Sequence, residues 1–149
     1  EQDVIIAGPI AVVLYASSDQ PDTDFFVKLW DQVPSGAGKN RRDVLLARGW
    51  LRASHRDLDE SRSTIGRPFH PHRDPRSIEP GKVYRFDIEV WPIAHVFMTG
   101  HRIRLHLTNG DSSVTDGNYS HFYGIKFGSD TILHDADHPS HVLLPIIPR

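Results

Sequence analysis

Hydrophobic and polar residues alternate with a period of two along much of this chain. The clearest case is YRFDIEVW (84–91), in which every second residue from Tyr84 to Val90 is apolar and charged residues lie between. The segment RIRLHLTN (102–109) repeats the pattern, which predicts strands with one face on a core, so that Ile103, Leu105 and Leu107 point inward. The segment IAVVLYA (10–16) is continuously apolar instead, which is typical of a strand covered on both faces.

Composition and turn signals predict further strands between these three. We place them at residues 25–33, 49–55, 119–127, 131–134 and 141–146. Turn-forming motifs such as SSDQPD, PSGAGKN, EPGK, TGHR and NGD separate the strands. The segment DQPDTDFFVKLW has apolar residues at helical spacing, but its β-rich composition favours a strand. About eight short strands in 149 residues predict a single all-β domain over 1–149, a sandwich or jelly roll.

One long segment fits no strand. It runs from His55 to Gly81, with an irregular loop at about 56–81, and it is charged and rich in proline. Loops of this length in compact domains are uncommon and often functional. This segment has two possible interpretations, a solvated surface loop and a loop packed against another domain, and we favour the second. The candidate residues for a domain interface are Arg56, Arg67, Pro68, Phe69, His70 and His72.

Charge and composition exclude several classes of function. The chain has 17 basic and 19 acidic residues, a formal net charge of −2, so nothing indicates a nucleic-acid partner. Apolar runs fall short of the roughly 20 residues of a membrane helix, and no membrane partner is expected. The ten histidines make the surface charge sensitive to pH below about 6.5. Without cysteine there is no disulfide or thiolate chemistry, and the compartment stays open, with the cytoplasm slightly favoured.

The segment HDADHPSHVLLPIIP (134–148) raises the question of a metal site. Its candidate ligands are His134, Asp135, Asp137, His138 and His141. Their spacing matches no standard zinc pattern such as H-E-x-x-H. Polar residues followed by a proline and an apolar run are more typical of a turn that leads into a strand. We therefore expect no metal and no other cofactor.

Signals for covalent catalysis are missing from the sequence. No G-x-S-x-G motif occurs, so the strand-to-helix elbow that exposes a nucleophilic serine is absent. This chain alone is therefore not expected to be an enzyme. Trp50 and Trp91 are candidates for a platform that stacks on a sugar, although packing against a sheet or a neighbouring domain is the safer interpretation.

Three long segments carry a family resemblance. SSDQPDTDFFVKLWDQVP, the stretch from GWLRASHRD through RIRLHL, and LHDADHPSHVLLPIIP resemble the C-terminal domain of serine hydrolases of the X-Pro dipeptidyl-peptidase and cocaine esterase type. Residues 110–124 depart from the family pattern. The resemblance implies a jelly-roll β-sandwich similar to galactose-binding domains. It also implies that His138 and His141 are structural.

The same resemblance implies a partner and a function. The partner is an α/β-hydrolase domain of the same parent chain, which carries the Ser-His-Asp triad. The leading hypothesis is a non-catalytic C-terminal domain that helps to wall the substrate pocket of a hydrolase of esters or X-Pro peptides, with homo-oligomerisation through the parent left open. The alternatives are a free-standing carbohydrate-binding module and a metal-dependent enzyme around residues 134–141.

Overall fold

The computed structural model describes residues 2–34, 43–110 and 127–148. Seven strands and one turn of 3₁₀ helix make up its regular structure in these ranges. They are β1 (Val4–Ser18), β2 (Asp24–Gln32), β3 (Val44–Arg52), the 3₁₀ turn (Ala53–His55), β4 (Tyr84–Phe97), β5 (Arg102–Thr108), β6 (Asp130–Leu133) and β7 (His141–Leu143). Within this part of the chain, no helix is long and apolar enough to cross a membrane.

The strands form one antiparallel sheet that curls into two facing layers. Their order is β5-β2-β3-β4-β1-β6, and β7 pairs with β1 as well. The sheet curls between β3 and β4, which pair at one position, Gly49 with Val90. Across the interior, the rings of Phe25 on β2 and Phe86 on β4 have centroids 4.9 Å apart. The predicted all-β sandwich is therefore confirmed, whereas the jelly-roll and galactose-binding-like details stay predictions.

The core follows from the period-two pattern. On β4, Phe86, Ile88 and Val90 are buried, and the polar residues between them point outward. On β1, every residue from Ile10 to Leu14 is buried, as a strand covered on both faces requires. Burial of this apolar surface is the main force that holds the two layers together.

The junction between the layers depends on a residue without a side chain. A Cβ atom placed on Gly49 would lie 2.0 Å from the carbonyl oxygen of Glu89 and 3.0 Å from the Cα of Val90. No other residue type fits so close to a neighbouring backbone. Gly49 therefore allows β3 to cross β4 at the distance that closes the sandwich.

Most predicted strands occur with shifted ends. The strand predicted at 119–127 lies outside the described residues, except for Phe127, which precedes β6. The side chains of β5 that were predicted to point into the core are only partly buried. Leu105 pairs with the buried Leu29 and shares its face, yet Leu105 and Ile103 stay partly exposed. The reason is that β5 lies at the end of the strand order and packs chiefly against β2.

The long loop packs onto the sandwich instead of projecting from it. Its Ile78 side chain is buried, and the Ile78 N–H donates to the carbonyl of Pro21 at 2.9 Å. The Arg76 N–H donates to the carbonyl of Ser54 at 2.8 Å. Backbone hydrogen bonds at several points therefore hold this loop in one shape.

Candidate functional site

A cleft lies between the outer surface of the β3–β4 junction and the long loop. We call it the tryptophan cleft, and its volume is about 460 Å³. Because Val90 points into the core, its neighbours Glu89 and Trp91 point outward, and Trp50 follows Gly49 on the facing strand. The residues that line the cleft are Gly49, Trp50, Leu51, Pro68, Phe69, His70, Pro71, His72, Glu89 and Trp91.

The two tryptophans form an exposed apolar ledge. Their ring centroids are 6.2 Å apart and the ring planes are inclined by 50°. Trp50 is 38% exposed and Trp91 is 59% exposed. Exposed tryptophans that touch one another present a large apolar area on the surface, which is typical of a contact site.

Hydrogen bonds within the loop fix the opposite wall of the cleft. The Phe69 N–H donates to Oγ of Ser63 at 2.9 Å, and the Phe69 carbonyl accepts from the N–H of Asp59 at 2.9 Å. The guanidinium of Arg62 lies over the Phe69 ring, 3.6 Å from its centroid. Phe69 is therefore held from both sides, and the wall keeps its shape without a partner.

Three histidine rings cluster at this wall, and two of them, His70 and His72, line the cleft. The His72 ring centroid lies 5.2 Å from that of His55 and 5.8 Å from that of His70. Burial lowers the pKa of His72, and the nearby charges of His55 and His70 lower it further. His72 is therefore neutral at pH 7.

Ion pairs brace the base of the loop and the rim of the cleft. Nη2 of Arg76 lies 2.6 Å from Oδ2 of Asp57, and this hydrogen bond holds the pKa of the Asp57 carboxyl below its usual value. At the rim, Nε of Arg67 lies 3.4 Å from Oε1 of Glu89. Both pairs are largely exposed, so each adds little to the free energy of unfolding of the domain and acts locally, by holding the loop segment that carries it.

The structure brings together most of the residues that the sequence proposed for an interface. Pro68, Phe69, His70 and His72 line the cleft, together with both candidate tryptophans. Arg67 reaches the rim through Glu89. Arg56 does not reach the cleft, because its Nη1 donates to the carbonyls of Ala53 and Arg76 and thereby supports the loop backbone.

The segment 134–141 forms a turn. The carboxylate of Asp135 accepts hydrogen bonds from the backbone N–H groups of Asp137 and His138, at 2.9 and 2.8 Å. Oγ of Ser140 accepts the N–H of Tyr15 at 2.9 Å and donates to the carbonyl of Leu133, which joins the turn to β1 and β6. In residues 2–34, 43–110 and 127–148, no group of three or more histidine and acidic side chains could hold a metal ion.

Sequence reasoning missed a buried carboxylate that two histidines share. Asp31 is almost fully buried; its carboxylate lies 3.0 Å from Nε2 of His95 and 2.8 Å from Nδ1 of His101. The sequence did contain a signal for this site. Asp31 lies an even number of residues from Phe25, Val27 and Leu29 on β2, so its side chain points to the same, inward face. A carboxylate at a core position needs partners, which the two histidines supply.

Comparison with known proteins identifies the family of this chain. A protein-family model described as the X-Pro dipeptidyl-peptidase C-terminal non-catalytic domain matches residues 1–143. The chain belongs to this family. The domain is also 29% identical over 155 residues to the cocaine esterase of Rhodococcus sp. (strain MB1 Bresler), an alignment that covers 98% of this chain and 24% of that protein.

Solved structures share the fold. A CocE/NonD family hydrolase from Staphylococcus aureus superposes with a TM-score of 0.86 at 22% identity, over 99% of this domain and 29% of that chain. An aminopeptidase from the marine sediment archaeon Thaumarchaeota archaeon gives a TM-score of 0.75 at 20% identity, over 99% of this domain and 24% of that chain. The domain thus spans about a quarter of the length of these relatives.

Proposed function

We propose that this domain docks through the tryptophan cleft onto the α/β-hydrolase catalytic domain of a larger serine hydrolase, where it forms part of the wall of the substrate pocket. The parent enzyme hydrolyses esters or X-Pro peptides. Two facts support the proposal. This domain spans 24% and 29% of the length of two relatives named as an esterase and a hydrolase, and its own 149 residues contain no nucleophile elbow.

The observation that carries the proposal is the exposed tryptophan pair beside a wall that is already rigid. Tryptophan is among the residues that contribute most to binding when an interface buries it. A preorganised surface loses little conformational entropy on docking, so more of the contact energy appears as affinity. A rigid wall also matters for catalysis, because misplacing a positioning group by about 1 Å can cost roughly a hundredfold in rate.

The polar rim suits this role. The Arg67–Glu89 pair lies beside the apolar floor and is solvent-exposed. Protein interfaces generally combine an apolar centre with a polar border of this kind. The rim therefore sets orientation, and the tryptophans supply most of the binding energy.

Docking is tested by measuring association in trans with the separately purified catalytic domain of the parent hydrolase. We expect a complex by calorimetry, and Trp91→Ala should weaken it by roughly 30-fold, the effect of a strong interface residue. The matched control is Ile132→Ala, which truncates an exposed apolar side chain on β6, outside the cleft. No association at tens of micromolar, or equal effects of the two variants, would contradict the proposed docking surface.

The non-catalytic role has its own test. The purified domain should not hydrolyse a p-nitrophenyl ester above the buffer rate. Turnover that a serine-directed phosphonate abolishes would show a nucleophile in this chain and overturn the proposal.

The tryptophan pair also favours a second candidate, a carbohydrate-binding module, because sugars stack on exposed tryptophan rings. The geometry is less suitable for an extended sugar chain, since the inclined rings do not form one flat platform. A change in tryptophan fluorescence on adding oligosaccharides, lost in Trp91→Ala, would establish this candidate. An unchanged spectrum at millimolar sugar would exclude it.

A further inference from the structure

His70 has an unusual pair of hydrogen-bond partners. Its Nδ1 lies 3.0 Å from the carbonyl oxygen of Asp57 in the long loop, and its Nε2 lies 2.7 Å from the carbonyl oxygen of Asp87 on β4. Both partners are carbonyl oxygens, which accept hydrogen bonds and cannot donate them. The ring therefore spans from the start of the loop to the strand beneath it.

These two contacts require two N–H groups on one ring. A neutral imidazole carries one N–H, so its second nitrogen would direct a lone pair at a carbonyl oxygen within 3.0 Å. The imidazolium form donates from both nitrogens and satisfies both carbonyls. Hydrogen bonds with a charged donor are also the stronger kind. The geometry therefore fits the protonated ring and conflicts with either neutral tautomer.

The charges around the ring permit this state. From the loop, the Asp57 carboxylate faces it, and the charge of His70 contributes to the lowered pKa of Asp57. From β4, Asp87 and Glu89 carry negative charge, and Arg85 pairs with Asp87 at 2.6 Å. The opposing groups are Arg56 and Arg76 near Asp57, His55 from the 3₁₀ turn and His72 from the loop. His72 is neutral at pH 7, which removes one source of repulsion.

We propose that His70 is a proton-controlled latch, which in its protonated form ties the long loop to β4 and so fixes the loop wall of the tryptophan cleft. Loss of the proton removes one of the two hydrogen bonds and loosens the attachment of the loop to β4, while the hydrogen bonds of Phe69 within the loop remain. Because only the ring with both nitrogens protonated donates to both carbonyls, the loop is held more tightly at low pH and opens more often as the pH rises. The latch depends on this domain alone and does not rest on the proposed docking.

The test uses the whole 149-residue chain and two readouts. The first is ¹⁵N NMR of the His70 ring, which distinguishes the imidazolium from each neutral tautomer. The second is amide hydrogen exchange of Asp59, Ser63 and Phe69, whose N–H groups are hydrogen-bonded within the loop. After correction for intrinsic exchange rates, we expect about tenfold greater protection at pH 5.5 than at pH 8, the effect of one charge-assisted hydrogen bond.

Two variants separate the latch from a general effect of pH. In His70→Gln the difference in protection between the two pH values should disappear. In the matched control His72→Gln, which changes a neighbouring histidine of the same loop, the difference should remain. If His70→Gln does not fold, the wild-type spectra decide alone. A His70 ring that is a single neutral tautomer at pH 5.5, or protection that does not change with pH, would overturn the proposal.

Discussion

Replacing Gly49 by alanine tests the account of how the two layers join. The new Cβ would lie 2.0 Å from the Glu89 carbonyl oxygen, whereas contacts below 3.0 Å are essentially never observed for real Cβ atoms. The strands must therefore separate by at least 1.0 Å at this point, which is the difference between those two distances. The obstacle is backbone of a central strand, so no side chain can rotate away.

The expected cost follows from this displacement. Overpacking a core by one methyl group costs about 1–3 kcal/mol, and here the move also weakens the Gly49–Val90 pair. We expect Gly49→Ala to lower the free energy of unfolding by about 3 kcal/mol. For a domain of this size, that corresponds to a decrease in Tm of roughly 6–12 °C.

The assay is urea unfolding followed by tryptophan fluorescence and circular dichroism. Gly81→Ala is the matched control, because Gly81 has a φ of +80° but no heavy atom within 4 Å of its Cβ position. That variant should lose only about 1 kcal/mol, from backbone strain. If Gly49→Ala is no less stable than Gly81→Ala, then β3 and β4 do not approach as closely as described, and the reasoning fails.

Three further substitutions test other parts of the structure. Phe86→Ala should lower the free energy of unfolding by about 3–5 kcal/mol in urea titrations, because it leaves a cavity in the core; a loss below 1 kcal/mol would refute its central position. Ser140→Ala should cost about 1–2 kcal/mol in the same assay, since the Tyr15 N–H loses its partner; an unchanged midpoint would count against the turn's attachment to β1. The lowered pKa of Asp57 means that its ion pair with Arg76 stabilises the loop at neutral pH and is lost as the pH falls through the range below about 4. Limited proteolysis between pH 5 and pH 3 should therefore show progressive loop cleavage in the wild type, while Asp57→Asn should show it already at pH 5; identical profiles would disprove the role of the pair.

The strands were predictable from the sequence because their signal is local. The alternation in YRFDIEVW correctly placed Phe86, Ile88 and Val90 inside and the charged residues between them on the opposite face. β5 was predicted at residues 102–109, one residue longer than the observed strand Arg102–Thr108. Its burial was overestimated, since alternation shows which face a residue shares and not whether a second layer covers that face.

The cleft could be predicted only in pieces. The long loop suggested Pro68 and Phe69, and the search for a sugar-stacking platform suggested Trp50 and Trp91. Nothing in the sequence placed the two sets side by side. Their meeting depends on the crossing of β3 over β4 at Gly49, which is a tertiary contact between strands far apart in the chain. The two carbonyl partners of His70 are backbone groups, which residue types do not reveal.

The pairing of β1 determines when the two edges of this strand can be covered during folding. This strand pairs along its length with β4, while its outer edge pairs with β6 and β7 from the far end of the chain. The Ile147 N–H even donates to the carbonyl of Ile5. Contacts between such distant residues form slowly, because a long chain must first close on itself. On the ribosome, one edge of β1 therefore has no neighbouring strand until β6 and β7 emerge, more than a hundred residues after β1 itself. Over that interval a chaperone or another nascent chain has its best opportunity to bind the unpaired edge.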